Sequence, residues 1–149
     1  MSALLDASAL LNIVRSLGRD SLDYIRGCYE LTLTPYEIGN AVWKEATLLK
    51  RLTINEALTL LNLISLIHRY LNMVYPQNVS AVLRLAFRLK ITYYDASYVI
   101  ASSELNVPLI TDDTTLRNRI KSHRNVVKQI LGKEVNVLSS DEYITYEST

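Results

Sequence analysis

The stretch Ala3-Leu4-Leu5-Asp6 opens the chain with three apolar residues that end on an acid. A short apolar run of this kind predicts a buried strand, and the residues that follow predict a helix over about 8–17, with Gly18 as its stop. Three more strands are predicted at residues 29–33, 108–111 and 135–138. Because helical patterns separate these strands, the sequence predicts a parallel sheet in a layered α/β fold.

Helices are predicted over much of the remaining chain. They are expected at residues 19–26, 34–50, 53–73, 78–89 and 95–105, then from the end of the 108–111 strand to about 123, and at the C-terminus behind a cap at 139–142. Thr34, Pro35 and Glu37 have the spacing of a capping box with proline in the first turn. Thr53 and Glu56 repeat the capping pattern. Apolar residues nearly encircle helix 53–73, which predicts burial in the core or in a dimer interface.

Composition points to an ordinary globular protein. The 149 residues fit one domain, residues 1–149, and 49% of them are apolar while 21% are charged. The single cysteine, Cys28, excludes an internal disulfide framework and a multi-cysteine zinc site, so a cytoplasmic location is expected. Residues 1–6 lack the basic region of a signal peptide. The most apolar stretch, residues 57–67, is too short for a membrane span, so no membrane partner is expected.

The charge of the chain gives little guidance on its partners. The formal net charge is +1, which does not argue for nucleic acid. Basic residues gather in two groups, Arg84, Arg88 and Lys90, and then Arg117, Arg119, Lys121, Arg124 and Lys128. Solvated helix faces account for both groups, and the functional alternative is a rim that contacts phosphates.

Acidic residues follow the predicted strands. Asp6 comes directly after the first strand, Glu37 lies in the first helical turn after the second, and Asp112 and Asp113 come directly after the third. In open parallel sheets, ligands bind beyond the carboxyl ends of the strands, so these acids are expected at one edge. Asp95 opens another predicted helix, and local pattern does not place it at that edge.

Carboxylates that converge repel one another and need a counter-charge. Mg²⁺ and Mn²⁺ prefer oxygen ligands, and a pair of such ions can activate water for phosphodiester hydrolysis. Each acid also has a structural explanation as a turn or cap residue, and Glu37 has one as the partner in its capping box. The joint placement of four acids at strand and helix junctions favours a metal site over four separate caps.

Four segments of the chain, in this order, resemble the motifs of the PIN-domain family and, within it, the VapC-type toxin ribonucleases. They are Leu5-Asp6-Ala7-Ser8-Ala9-Leu10, Tyr36-Glu37-Ile38-Gly39-Asn40-Ala41, Tyr94-Asp95-Ala96-Ser97-Tyr98-Val99-Ile100-Ala101 and Leu109-Ile110-Thr111-Asp112-Asp113. The resemblance covers almost the whole chain. It implies a three-layer fold with a central parallel sheet flanked by helices.

The resemblance also implies functional residues and partners. It implies Asp6, Glu37, Asp95 and Asp113 as catalytic metal ligands for Mg²⁺ or Mn²⁺. It further implies supporting roles for a second group of polar residues: Ser8, Asn40 and Thr111, with Asp112 as a neighbour of the site. The expected activity is that of an endoribonuclease, and the expected partners are RNA, an inhibitory antitoxin protein and a second copy of the chain.

Several alternatives stay open on the sequence. The same fold serves RNA-processing nucleases outside toxin–antitoxin pairs, and it serves non-catalytic modules that bind RNA or protein. A phosphoacceptor signalling domain also clusters aspartates, but Asp6 lacks the acidic neighbour and Thr111 lacks the following lysine that such a domain has. The tyrosines around Asp95, namely Tyr93, Tyr94 and Tyr98, are expected either to pack in the core or to stack on a base.

Overall fold

Five short parallel strands form the centre of the computed structural model, which describes residues 1–149. The strands are β1 (Leu4–Leu5), β2 (Tyr29–Leu31), β3 (Asn72–Val74), β4 (Leu109–Ile110) and β5 (Val137–Leu138). Their order across the sheet is β3-β2-β1-β4-β5. Leu4 of β1 pairs with Tyr29 on one side and Leu109 on the other. The first strand of the chain is therefore the middle of the sheet.

Nine α-helices surround the sheet. They are α1 (Ala7–Leu17), α2 (Leu22–Ile25), α3 (Thr34–Thr47), α4 (Ile54–Ile67), α5 (Val79–Leu89), α6 (Tyr93–Leu105), α7 (Thr114–Ser122), α8 (Arg124–Leu131) and α9 (Ser140–Glu147). Short 3₁₀ turns at Gly18–Ser21 and His68–Tyr70 follow α1 and α4. No helix has the length and apolar character that a membrane crossing requires.

The sheet separates two apolar cores because neighbouring residues of a strand face opposite sides. Leu5 and Ile110 pack with α1, α3, α4 and α9 on one side, while Leu4 and Leu109 pack with α5, α6, α7 and α8 on the other. The layers are thus helix, sheet and helix. The three-layer α/β fold with a central parallel sheet is confirmed.

Most predicted elements are present within a few residues of their expected bounds, and the capping box of Thr53 and Glu56 is confirmed. Two elements were missed. The helix predicted to reach residue 73 ends at Ile67, and β3 follows it because Asn72–Val74 pairs along β2. The predicted helix that ends near 123 is followed directly by α8. Long-range pairing decides β3, and no local pattern signals it.

Of two expectations about helix burial, the one for α6 was wrong. The core covers one face of α4, through Ala57, Ile64 and Ile67, while Leu58 and Leu66 are about half exposed, and the alternative of burial in a dimer interface stays a prediction. Helix α6, expected to be amphipathic, is buried at every position from 96 to 103. It lies between its neighbours in the second core, so its small residues face packed surfaces all round.

Candidate active site

The acids that follow the strands share one edge of the sheet. Asp6 comes directly after the central strand β1, and Glu37 lies in the first turn of α3 after β2. Asp112 and Asp113 follow β4. Because β2 and β4 are the two neighbours of β1 and run parallel to it, their carboxyl ends lie beside that of β1. This topology places the acids as the sequence predicts.

Asp6 caps a helix and also lies in the middle of the acidic edge. Its Oδ1 accepts hydrogen bonds from the Ala9 N–H at 2.8 Å and the Ser8 hydroxyl at 2.7 Å. Only 7% of the residue is exposed. Burial raises its pKa to about 6, although hydrogen bonds from Thr111, Ala9 and Ser8 oppose the shift, and the charge of Asp112 adds to it. The cap explanation for Asp6 is therefore correct but incomplete.

Glu37 does not complete a capping box. Leu33 is the N-cap of α3 and makes no side-chain capping bond, while Thr34 lies inside the helix. Glu37 instead accepts a hydrogen bond from the Tyr98 hydroxyl, at 2.6 Å from Oε1. Burial raises the pKa of Glu37, the bond from Tyr98 lowers it, and the charges of Asp6 and Asp95 raise it again. The structural explanation for this acid fails, and its side chain points to other acids.

Asp95 belongs to the same group of charges. It lies in the first turn of α6, behind the N-cap Thr92, whose side chain accepts the Asp95 N–H. Burial raises the pKa of Asp95, the bond with Thr92 lowers it, and the charge of Asp113 raises it. Asp95 also raises the pKa of Glu37. The structure thus brings Asp95 to the edge where local pattern could not place it.

Asp112 and Asp113 have different roles. Asp113 is exposed, and its Oδ1 caps α7 by accepting the Leu116 N–H at 3.0 Å. Asp112 uses both oxygens: Oδ1 accepts the Ser140 N–H, and Oδ2 accepts the Ser140 hydroxyl and the Asn12 side chain. Although burial alone would raise the pKa of Asp112, these bonds and the charge of Arg117 lower it. Asp112 therefore ties α9 to α1, and its oxygens are already in use.

Two of the three supporting polar residues contact the acids. The Ser8 hydroxyl donates to Asp6 and accepts the Asp112 N–H at 3.0 Å. The buried Thr111 hydroxyl accepts the Asp113 N–H at 3.1 Å. Asn40 lies three residues after Glu37 on α3, but it is exposed and makes no side-chain hydrogen bond. The structure gives Asn40 no orienting contact.

No basic side chain neutralises the acidic edge. The five ion pairs of the chain involve other acids, and none includes Asp6, Glu37, Asp95 or Asp113. No three potential ligands converge closely enough to hold a cation by themselves. Mg²⁺ commonly keeps several waters and binds through one or two carboxylates, so a donor set made only of carboxylates fits such an ion.

Two residues were missed as part of this site. Tyr98 was expected to pack in the core or to stack on a base, and Thr34 was expected to cap α3. In the structure their hydroxyls are hydrogen-bonded to one another at 2.7 Å, and the Tyr98 hydroxyl also donates a hydrogen bond to Glu37. The spacing of Tyr98, three residues after Asp95, was the available signal, since residues i and i+3 of a helix share a face.

Comparisons with known proteins agree with this architecture. No family model matches the sequence. The chain is 34% identical over 91 residues to the protein named Exonuclease VapC9 of Pyrobaculum aerophilum, which is 61% of this chain. The match spans 65% of that relative's own length, a little less than two thirds.

A solved structure extends the similarity to the fold. The crystal structure of PAE2754, also from Pyrobaculum aerophilum, superposes with a TM-score of 0.67 at 25% sequence identity. The superposition covers 89% of this chain and 97% of the other. The chain is thus similar in sequence to a protein named Exonuclease VapC9 and shares the fold of PAE2754, in agreement with the resemblance to VapC-type PIN domains that its motifs carry.

Proposed function

We propose that residues 1–149 act as a single-domain ribonuclease that hydrolyses RNA phosphodiester bonds with the help of Mg²⁺ or Mn²⁺. One observation carries the proposal. At one edge of the sheet the charges of Asp6 and Asp95 raise the pKa of Glu37, the charge of Asp113 raises the pKa of Asp95, and no lysine or arginine forms an ion pair with these acids. Such a group is costly unless a dication neutralises it. The nuclease named among its relatives supports the same chemistry.

In this proposal, Asp6, Glu37, Asp95 and Asp113 hold the metal. Bound Mg²⁺ or Mn²⁺ supplies an activated water and polarises the phosphate. The chain contributes the placement of the carboxylates. Helix caps fix one oxygen of Asp6 and one of Asp113, and Tyr98 fixes one oxygen of Glu37. The other oxygens of Glu37 and Asp113 accept no hydrogen bond and are available to a cation, while Asp6 also accepts a hydrogen bond from Thr111.

In this proposal, basic residues of α7 and α8 contact the RNA backbone. Arg117 and Lys121 follow Asp113 along α7, and with Arg124 they line a cavity of about 500 Å³. Glu134 and Glu142 reduce the positive charge there, with Arg124 and Glu134 only 2.9 Å apart. We infer that this cavity contacts RNA phosphates through its unpaired Lys121, since cation contacts to phosphates dominate affinity for nucleic acid.

The test of the proposal is a cleavage assay on linear and circular RNA with Mg²⁺, with Mn²⁺ or with EDTA. Cleavage should require the metal and should fall by about 100-fold or more in Asp6→Asn and Asp95→Asn. A bound metal stabilises the transition state by several kcal/mol, and each loss of about 1.4 kcal/mol slows a reaction tenfold. Asp23→Asn, an exposed acid in α2, is the matched control and should cut at the wild-type rate. Full activity of either test variant removes that residue from the mechanism.

Circular RNA separates two modes of cutting. We propose endonucleolytic cleavage, which opens a circle. The relative's name, Exonuclease VapC9, favours the alternative of cutting from chain ends, which leaves a circle intact. RNA binding without any cleavage of either substrate would instead indicate a non-catalytic module.

We further propose a toxin–antitoxin role, with an antitoxin partner, a homodimeric state and a cytoplasmic location. The VapC-type relationship supports the antitoxin, and the exposed apolar side chains Leu58 and Leu66 of α4 provide surface for the dimer. Expression of the wild type should arrest growth, and Asp95→Asn should not. Relief of the arrest by co-expression of a neighbouring small gene would identify the antitoxin. Unimpaired growth would favour an RNA-processing nuclease outside such a pair.

A further inference from the structure

A buried line of hydrogen bonds joins the sheet to Glu37. The backbone N–H of Leu31, in β2, donates to the Thr34 hydroxyl at 3.1 Å. The Thr34 and Tyr98 hydroxyls are 2.7 Å apart, and the Tyr98 hydroxyl donates to Glu37 Oε1 at 2.6 Å. Thr34 is fully buried and Tyr98 is 2% exposed. The Thr34 and Tyr98 hydroxyls are therefore shielded from solvent.

The direction of each bond follows from the number of protons. Each hydroxyl has one proton to donate. Tyr98 directs its proton to the carboxylate of Glu37, so its oxygen accepts the proton of Thr34. Thr34 in turn accepts the Leu31 N–H. All three bonds point the same way, toward the negative charge, and the last has the short length of a charge-assisted O–H···O⁻ bond.

Leu31 and Tyr98, the two residues that hold this line in place, lie in rigid elements. Leu31 belongs to a strand that is paired on both sides, and Tyr98 lies in the middle of α6, which is buried all round. Tyr98 is also one helical turn after Asp95, so α6 carries one acid of the edge and contacts another. The Tyr98 ring is too deeply buried to stack on a base, which leaves its hydroxyl as the functional group.

We propose that Tyr98 is a positioning residue, which holds one oxygen of Glu37 through the Leu31–Thr34–Tyr98 hydrogen bonds and leaves the other oxygen for a divalent cation. This inference rests on the proposed function. Groups that orient a metal ligand from behind commonly change metal affinity by about 10–100-fold when they are removed. An unrestrained Glu37 would turn away from Asp6 and Asp95, because their charges repel it.

The experiment measures Mn²⁺ affinity without RNA, by calorimetry and by the electron paramagnetic resonance of free Mn²⁺. Tyr98→Phe removes only the hydroxyl and should weaken Mn²⁺ binding by about 10-fold or more. Tyr143→Phe is the matched control. Tyr143 is also fully buried, and its hydroxyl bonds to the Tyr24 carbonyl at 2.8 Å and to none of the four acids. This control should bind Mn²⁺ like the wild type.

A second pair of variants tests the same line at Thr34. Thr34→Val removes the hydroxyl at similar volume, and it should also weaken Mn²⁺ binding. Thr34→Ser restores the hydroxyl and should restore the affinity. This pair gives an answer even if Tyr98→Phe does not fold. In cleavage assays at saturating RNA, added Mn²⁺ should rescue Tyr98→Phe, whereas a general packing defect would not respond to metal.

The possible results separate the two proposals. Wild-type Mn²⁺ affinity in both Tyr98→Phe and Thr34→Val would overturn the positioning role and leave the nuclease proposal intact. Equal weakening by Tyr98→Phe and Tyr143→Phe would also overturn it, because the effect would then come from packing. Failure of the wild type to bind Mn²⁺ and to cut RNA would overturn the proposed function itself.

Discussion

Asp6→Asn should stabilise the metal-free protein at neutral pH while it abolishes metal-dependent cleavage. The substitution keeps the shape of the side chain and an oxygen that can accept the Ala9 N–H and the Ser8 hydroxyl. It removes a negative charge that burial disfavours and that Asp112 repels. Under the proposed function, the negative charge of Asp6 would bind a cation and would destabilise the metal-free fold.

The magnitude follows from the pKa. Asp6 has a pKa of about 6 in the folded protein against a usual value of 3.8. Between these values the folded state binds more protons than the unfolded state, so stability falls as the pH rises through this window. A difference of about two pH units corresponds to about 3 kcal/mol. The wild type should lose up to that amount between about pH 4 and pH 7, and Asp6→Asn should lose correspondingly less.

Urea denaturation in EDTA at pH 4.5 and pH 7.5 measures the difference. Asp6→Asn should be more stable than the wild type by about 2–3 kcal/mol at pH 7.5, with most of that gain absent at pH 4.5. Addition of Mn²⁺ at 100 times its dissociation constant should stabilise the wild type by about 2.7 kcal/mol and the variant by much less.

Asp112→Asn is the control, since the pKa of this neighbour is lowered rather than raised. Its oxygens accept bonds from Ser140 and Asn12, so its neutralisation should destabilise the protein at pH 7.5 by about 1–3 kcal/mol. Opposite signs for the two variants are the expected result. Loss of stability in Asp6→Asn at pH 7.5 without metal would refute the reasoning about burial of the charge.

Three further changes test surrounding features. Tyr94→Ala removes an exposed ring beside Asp95 and should raise KM for RNA by about 5–100-fold if the ring stacks on a base. Its control is Tyr70→Ala, which lies before β3 at the opposite edge of the sheet and should not change KM. Lys121→Ala should reduce the salt dependence of RNA binding by about 0.7 in log–log slope, and an unchanged slope, like that expected for Arg51→Ala, would exclude a phosphate contact. Thr53→Ala breaks a capping box and should cost about 1 kcal/mol in urea denaturation without any effect on cleavage.

The sequence was sufficient where local chemistry decides the structure. A short apolar run followed by an acid marks the end of β1, and the same pattern marks the end of β4. Asp6 and Asp113 are caps of the helices that begin there, so their positions follow from the junctions themselves. The sheet edge that collects the acids could be predicted because parallel strands align their carboxyl ends.

The sequence was insufficient where distant segments compete for the same group. Thr34 has the spacing of an N-cap, but its hydroxyl accepts the Leu31 N–H and bonds to Tyr98, which lies 64 residues away. Strand β3 forms by pairing with the side of β2 that faces away from β1. The local pattern, which predicts a helix to about Met73, does not reveal this pairing. Tyr98 resembles a core residue in the sequence, and only the packing of α6 in the fold shows that its hydroxyl donates to Glu37.

The hydrogen bonds between α9 and Asp112 connect this helix to the charges of the candidate site. Ser140 donates to both Asp112 oxygens and so helps to keep this carboxylate ionised beside Asp6, whose pKa its charge raises. Deletion of the last helix would remove these bonds and raise the pKa of Asp112, so that its repulsion of Asp6 would weaken at mildly acidic pH and proton release from that buried acid would become easier. The loss of Ser140, nine residues before the last residue, would thereby alter the ionisation of the sixth residue, although no hydrogen bond joins the two.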